Sequence, residues 1–172
     1  EATGMHSHAE GRYSKAQGTA SHAEGDESKA SGDFSHAEGQ YTEATAMYAH
    51  AEGFTTHATG SISHAEGTKT TASGYASHAE GHSAKASGYA SHAEGISTEA
   101  SGYASHAQGR GTKATCRYQN VQGRFNVPDA PLDNDGNGTY AHIVGGGNGD
   151  TARKNIYALD WNGNAEFAGK VY

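Results

Sequence analysis

The sequence predicts an all-β solenoid of stacked 14-residue coils, each coil built from two short strands. Three observations predict it. The pentapeptide Ser-His-Ala-Glu-Gly begins at Ser7, Ser21, Ser35, Ser63, Ser77 and Ser91, always on a 14-residue grid. Two further copies keep the grid with one change each, Ala49-His50-Ala51-Glu52-Gly53 and Ser105-His106-Ala107-Gln108-Gly109. Between the copies lies a looser cousin, such as Ser28-Lys29-Ala30-Ser31-Gly32, so both kinds align to a heptad, Ser/Thr-x-Ala-x-Gly-x-x, that runs sixteen times from Ser7 to Tyr118. Its Ala never varies, its Gly fails only at Ala46 and Cys116, and its Ser/Thr fails only at Ala49 and Ala84. A partial copy precedes the array at Ala2 and Gly4, and a degenerate one follows it at Val121 and Gly123.

A period of seven suggests a coiled coil, but a coiled coil needs large apolar knobs at two positions of each heptad. The fixed positions here are Ser/Thr, Ala and Gly, and a Gly in every heptad would cost a helix about 1 kcal/mol each time. A period of two fits better. Positions one, three and five are tiny, whereas two and four are larger and polar, which predicts a five-residue strand followed by a two-residue corner where the Gly helps the chain turn. Two strands make a coil, with tiny side chains facing each other across a thin interior. Coils stacked about 4.8 Å apart would give a rod roughly 40 Å long.

Composition fits an array better than an ordinary domain. Only 34% of the 172 residues are hydrophobic, and much of that share is Ala. Such a profile suggests disorder unless a repeat lets coils stack without a thick core. At about 25 cal/mol per Å², contacts between alanines would struggle to offset the ordering entropy. The chain is therefore expected to associate with copies of itself, and a closed cyclic arrangement shields the most surface.

The recurrent strand marks the side that associates. One strand repeats the pairs His8/Glu10, His22/Glu24, His36/Glu38, His50/Glu52, His64/Glu66, His78/Glu80, His92/Glu94 and His106/Gln108. Its cousin carries Lys15, Lys29, Glu43, His57, Thr71, Lys85, Glu99 or Lys113 at the matching position. Solvent tolerates such scatter and an interface repeats one solution, so His and Glu are expected at the interface. Phe34, Met47, Tyr48, Ile62, Tyr75, Tyr89 and Tyr103, in the corners before the recurrent strand, are expected to form apolar seams between chains.

The doubled Ser/Thr-x-Ala-x-Gly heptads resemble the head repeats of trimeric autotransporter adhesins, which form left-handed parallel β-roll trimers. The resemblance covers residues 1–125 and implies a homotrimer. One departure stands out: the usual adhesin repeat carries apolar residues, often Val and Ile, where this chain has His and Glu. The C-terminal stretch, from Tyr140-Ala-His-Ile-Val-Gly to Leu159-Asp-Trp-Asn-Gly-Asn-Ala-Glu-Phe-Ala-Gly-Lys-Val-Tyr172, is similar to segments of tail-fibre and receptor-binding proteins of phages and prophages.

After Phe125 the pattern breaks. Pro128, Pro131 and the run Asp133-Asn-Asp-Gly-Asn-Gly138 mark residues 126–139 as a connector. Residues 140–172 are expected to form a small β module: a strand at Tyr140–Val144, a loop at Gly145–Asp150, and a hairpin of Asn155–Trp161 and Ala165–Tyr172 around Asn162-Gly163. Ile156, Leu159, Trp161, Phe167 and Val171 are its dense apolar set, and the module is expected to cap the roll and lock the chains together.

Candidate chemistry is sparse. The stacked His–Glu pairs fit either axial metal or anion sites, or, as the preferred reading, an interface of His–carboxylate and His–Ser hydrogen bonds. Asp133, Asp135 and Asn137 open like a calcium loop, but its twelfth position is Val144 in place of the bidentate Glu, so a polar turn is preferred. Gly145–Gly149 lacks the Lys-Ser/Thr of a phosphate-binding loop. Cys116 is the sole cysteine and is expected to be a buried small residue.

No catalytic residue and no cofactor are expected. Glycan cleavage needs one distinguished pair of carboxylates, whereas these glutamates recur identically. Asp129, Asp133, Asp135, Asp150, Asp160 and Glu166, outside the repeats, sit in turn-like contexts. A net charge of −7 without a Lys/Arg cluster argues against nucleic acid, and no stretch is apolar enough for membrane insertion. Since Glu1 already lies inside the repeat pattern, the chain is read as a piece of something longer.

The expectation is thus an extracellular fibre segment of a phage or prophage tail, with itself and a host-surface glycan or protein as partners. The alternatives are the head of a bacterial cell-surface trimeric adhesin and, more distantly, a glycan-cleaving tailspike.

Overall fold

The computed structural model describes residues 1–169. Among them there is no α-helix, only strands and one 3-10 turn at Asp150–Ala152. The chain winds as a parallel β-solenoid. Its long strands, from His8–Arg12 to Asn120–Arg124, stack side by side, as do its short strands, from Lys15–Ala16 to Lys113–Ala114. Every step shifts the register by one 14-residue coil, so His8 lies beside His22, Ala9 beside Ala23 and Glu10 beside Glu24. The partial copy at the start joins the short-strand sheet through a bridge from Ala2 to Ala16.

The two strands of a coil are unequal. The long one spans five residues but starts at His, one position later than the heptad suggests, whereas its cousin pairs over only two residues. In the cousin the backbone turns directly after its Ala. Ser21 N–H donates to the Gly18 carbonyl at 3.3 Å, and its hydroxyl donates to the same oxygen at 2.7 Å. Ser35, Ser63, Ser77, Ser91 and Ser105 repeat this hydroxyl bond. The first-position Ser thus closes a corner and satisfies its own buried hydroxyl.

The Gly of the long strand helps the turn as expected, with φ between 93° and 115° from Gly11 to Gly109, but a second residue shares the task. From Tyr13 to Tyr118 the seventh position of each heptad adopts left-handed φ, and the non-glycine residues there lie between 48° and 61°. That conformation costs an L-residue about 1–2 kcal/mol. It is held because the same residue donates its N–H to the preceding coil, as Phe34 does to the Thr19 carbonyl at 2.8 Å and Ala76 to that of Ser61 at 2.9 Å. The short-strand Gly has a different task. A Cβ on Gly74 would overlap the carbonyl oxygen of Gly88 in the next coil, and a Cβ on Gly88 would overlap that of Gly102. Coils approach so closely there that a side chain requires the backbone to shift.

The interior is a double column of alanines. Those from Ala16 to Ala114 on the grid have no exposed surface, and the Ser/Thr side chains beside them are buried. At the C-terminal end the column continues in register as Ala107, Val121, Ile143 and Ala158. The strand Tyr140–Gly146 pairs parallel with Asn120–Arg124, and Asn155–Asp160 and Ala165–Phe167 add antiparallel strands to the same sheet. The C-terminal residues therefore extend the long-strand sheet. Gly145 and Gly146, expected in a loop, belong to the first of these strands.

The expected hairpin forms, with Gly163 at φ 87° in its turn. Its apolar residues do not make a core: Ile156, Trp161 and Phe167 are about half exposed, and only Ala158 is buried. The expected strand end at Tyr172, and Val171 with it, lie outside the described residues.

Candidate functional site

On the long strand Ala points inward, so the flanking His and Glu share the outer face. In-register pairing then aligns each kind in its own column. The rings from His22 to His106 stack nearly parallel, with centroids 4.6–4.9 Å apart and planes within 4–8°. The ladder expected from the sequence is present, and Gln108 continues the Glu column beside Glu94. These side chains remain between a fifth and a half exposed in the central coils.

Within the single chain the ladder is spaced more widely than a hydrogen bond. The Nε2 to carboxylate distances are 3.9 Å for His36–Glu38, 3.7 Å for His50–Glu52, 3.4 Å for His78–Glu66 and 3.7 Å for His106–Glu94. Hydrogen bonds of this kind run about 2.7–3.2 Å. A 3.5 Å contact joins His8 to Glu10 at the exposed end. The Ser hydroxyls bond to glycine carbonyls, not to these imidazoles. From His22 to His106 each Nε2 of the ladder is shielded from water and has no hydrogen-bond partner within the chain.

Burial, and then the proximity of other imidazoles, lowers the pKa of His36, His50, His64 and His92 below the usual histidine value, against the opposing pull of nearby glutamates. These rings are neutral at pH 7, each free to offer a nitrogen lone pair. Three sets of side chains bring potential ligand atoms within 4.8 Å of one another: His50, Glu52 and His64; Glu66, His78 and Glu80; and Glu80, His92 and Glu94. Nothing in the sequence pattern separates these coils from the rest.

The corner residues expected at apolar seams lie in lines along the rod. Phe34 stacks on Tyr48 at 5.1 Å, and Tyr75, Tyr89 and Tyr103 stack in series at 4.9 and 5.0 Å. All are between 40% and 53% exposed, although the Arg117 guanidinium covers part of the Tyr103 ring at 5.0 Å.

Outside the array Asp129, Asp133 and Asp160 hold the backbone. Asp133 accepts from the backbone N–H of Asp135 and of Asn137, both at 3.0 Å, and from Asn137 Nδ2 at 2.9 Å. These bonds, the Asn137 side chain first, hold its carboxyl below the usual range. Asp160 repeats the arrangement with Asn162 and Asn164. Asp129 accepts from Tyr140 N–H at 2.9 Å, Glu166 accepts from the Tyr140 hydroxyl at 2.9 Å, and Asp150 pairs with Arg153. Cys116 is fully buried, and burial raises its thiol pKa.

No protein-family model matches the chain, and no curated protein matches it.

Proposed function

We propose that the chain is a structural segment of a phage or prophage tail fibre, that it assembles as a homotrimer through its His–Glu face, and that it contributes to recognition of a host surface. One observation carries the reading. The side of the solenoid that repeats the same residues coil after coil is also left half open, and lines of half-exposed aromatics run along the corners beside it. A solvent-facing side has no physical reason to repeat one solution, whereas a surface packed against copies of itself does.

Three further features support it. A solenoid of alanines and serines gives length and stiffness with little core, which suits a fibre. Ile156, Trp161 and Phe167 leave an apolar surface at the C-terminal end, where three chains would lock together. The C-terminal stretch resembles tail-fibre proteins. The repeats resemble adhesin heads, and they favour the second reading, the head of a cell-surface trimeric adhesin; the two differ in what the rod is attached to.

Light scattering on the purified chain tests the assembly: three times the 17.8 kDa chain mass is expected, and a monomer refutes it. Antibody labelling then separates the readings, since label on virion tails supports the fibre and label confined to the cell envelope supports the adhesin.

A further inference from the structure

We propose that the central His–Glu ladder is a zinc-class metal site, binding divalent cations such as Zn2+, Co2+ or Ni2+ within a single chain at His50–Glu52–His64 and at the carboxylate-rich group centred on Glu80. Distance is the first reason. Two ligands on a tetrahedral Zn2+, each about 2.0–2.1 Å from the ion, stand roughly 3.4 Å apart. The ladder's Nε2 to carboxylate separations, 3.7 Å at His50–Glu52 and 3.4 Å at His78–Glu66, are too long for hydrogen bonds and close to that edge. The ligand atoms of His50, Glu52 and His64 all lie within 4.8 Å of one another, and the stacked His50 and His64 rings turn apart for both Nε2 lone pairs to meet on one ion.

Burial is the second reason. The Nε2 atoms of His50, His64, His78 and His92 have no partner and are sealed from water by their own chain. An ion between the imidazole and the carboxylate satisfies both. All the ligands come from one chain, so the inference does not rest on the trimer.

Charge is the third. In-register stacking places Glu52, Glu66, Glu80 and Glu94 one above another. The long strands that carry them, HAEGF, HAEGT, HAEGH and HAEGI, contain no Lys or Arg. A column of like charges without a built-in counter-charge favours a divalent cation. Imidazole nitrogen with carboxylate oxygen selects the zinc-like metals over Mg2+ and Ca2+, which prefer all-oxygen shells. Glu80 belongs to two of the three groups, so two ions per chain is the expected capacity.

The test uses tag-free, chelator-stripped protein at pH 7.5 in whatever oligomeric state it adopts. Calorimetric titration with Zn2+ should show about two sites per chain, with Mg2+ giving no heat. Co2+ should give the intense visible bands of a tetrahedral site. His64→Gln should remove one site, or weaken it about tenfold or more, and Glu80→Gln should remove the other. His82→Gln, outside the three groups, should change nothing. Thermal melts of the metal-free variants establish that each is folded. Absence of Zn2+ binding, or binding unchanged in both His64→Gln and Glu80→Gln, overturns the proposal. Trimer mass is measured separately, so failure here leaves the assembly reading standing.

Discussion

The side-chain amide of Asn126 pairs with the backbone of Lys113 in both directions, accepting from its N–H at 2.8 Å and donating to its carbonyl at 3.0 Å. In every earlier coil that N–H goes to the backbone carbonyl 13 residues on, as Glu99 donates to Thr112 and Lys85 to Thr98. Asn126 is itself 13 residues after Lys113, so its side chain replaces the peptide group of a coil that is not there. It caps the edge of the short-strand sheet, which would otherwise offer unpaired backbone for edge-to-edge association.

Asn126→Ala should therefore cost about 1–3 kcal/mol, because two buried backbone groups lose their partner. Asn126→Asp keeps the acceptor but sets a buried carboxylate against the Lys113 and Val127 carbonyls, so it should cost at least as much. Chemical denaturation checks both, and an Ala variant as stable as the parent would show that the cap adds nothing.

Two neighbouring positions should respond in opposite directions. Gly74→Ala drives a methyl into the Gly88 carbonyl and should destabilise by about 2 kcal/mol or more through overpacking. Ala76→Gly, at φ 51°, removes left-handed strain and should be neutral or stabilising by up to about 1 kcal/mol. Ala46 shows how the fold handles the first change. It stands where a Gly is usual, and the N–H bond that Gly32 and Gly60 make to the next coil is not formed from Ala46. Melting temperatures of the two variants, compared side by side, are the measurement.

Stability should fall with acid over a defined window. The ladder histidines whose pKa is lowered resist protonation in the folded chain, whereas the unfolded chain protonates near pH 6.5. The unfolded state thus binds more protons below that point, so this contribution is complete above pH 6.5 and is lost as pH falls toward the folded-state values. Glu38, Glu52, Glu66 and Glu80 face these rings and oppose the effect without cancelling it. The melting temperature should drop by a few degrees between pH 7.5 and 5.5, and His64→Gln should make that slope shallower. An equal slope in the variant would place the titration elsewhere.

The roll was legible in the sequence because each fixed position has a steric cause that composition cannot hide. Ala fills the thin interior, Ser closes the corner, and Gly lets the short strands approach. The left-handed seventh position was not legible, since Tyr, Ile and Lys occupy it freely and only the bond to the preceding coil holds it. The strand Tyr140–Gly146 was half legible: its apolar residues marked it, but its parallel pairing with Asn120–Arg124 spans a connector with no period to follow. Within the ladder, residue order placed His and Glu on one face. It could not reveal separations longer than a hydrogen bond, because those depend on the side-chain rotamers adopted within the stack, which residue order leaves open.

The register shift of 14 residues makes length a counted quantity. Removing one coil deletes one rung from each column and shortens the rod by about 4.8 Å, leaving the ends and every remaining contact alike. Removing seven residues instead would place each recurrent strand on the sheet of its cousin, and the ladder would change sides halfway along. Gene variation can lengthen or shorten such a rod only in double heptads, so the molecule is a ruler whose graduations are written in the chain.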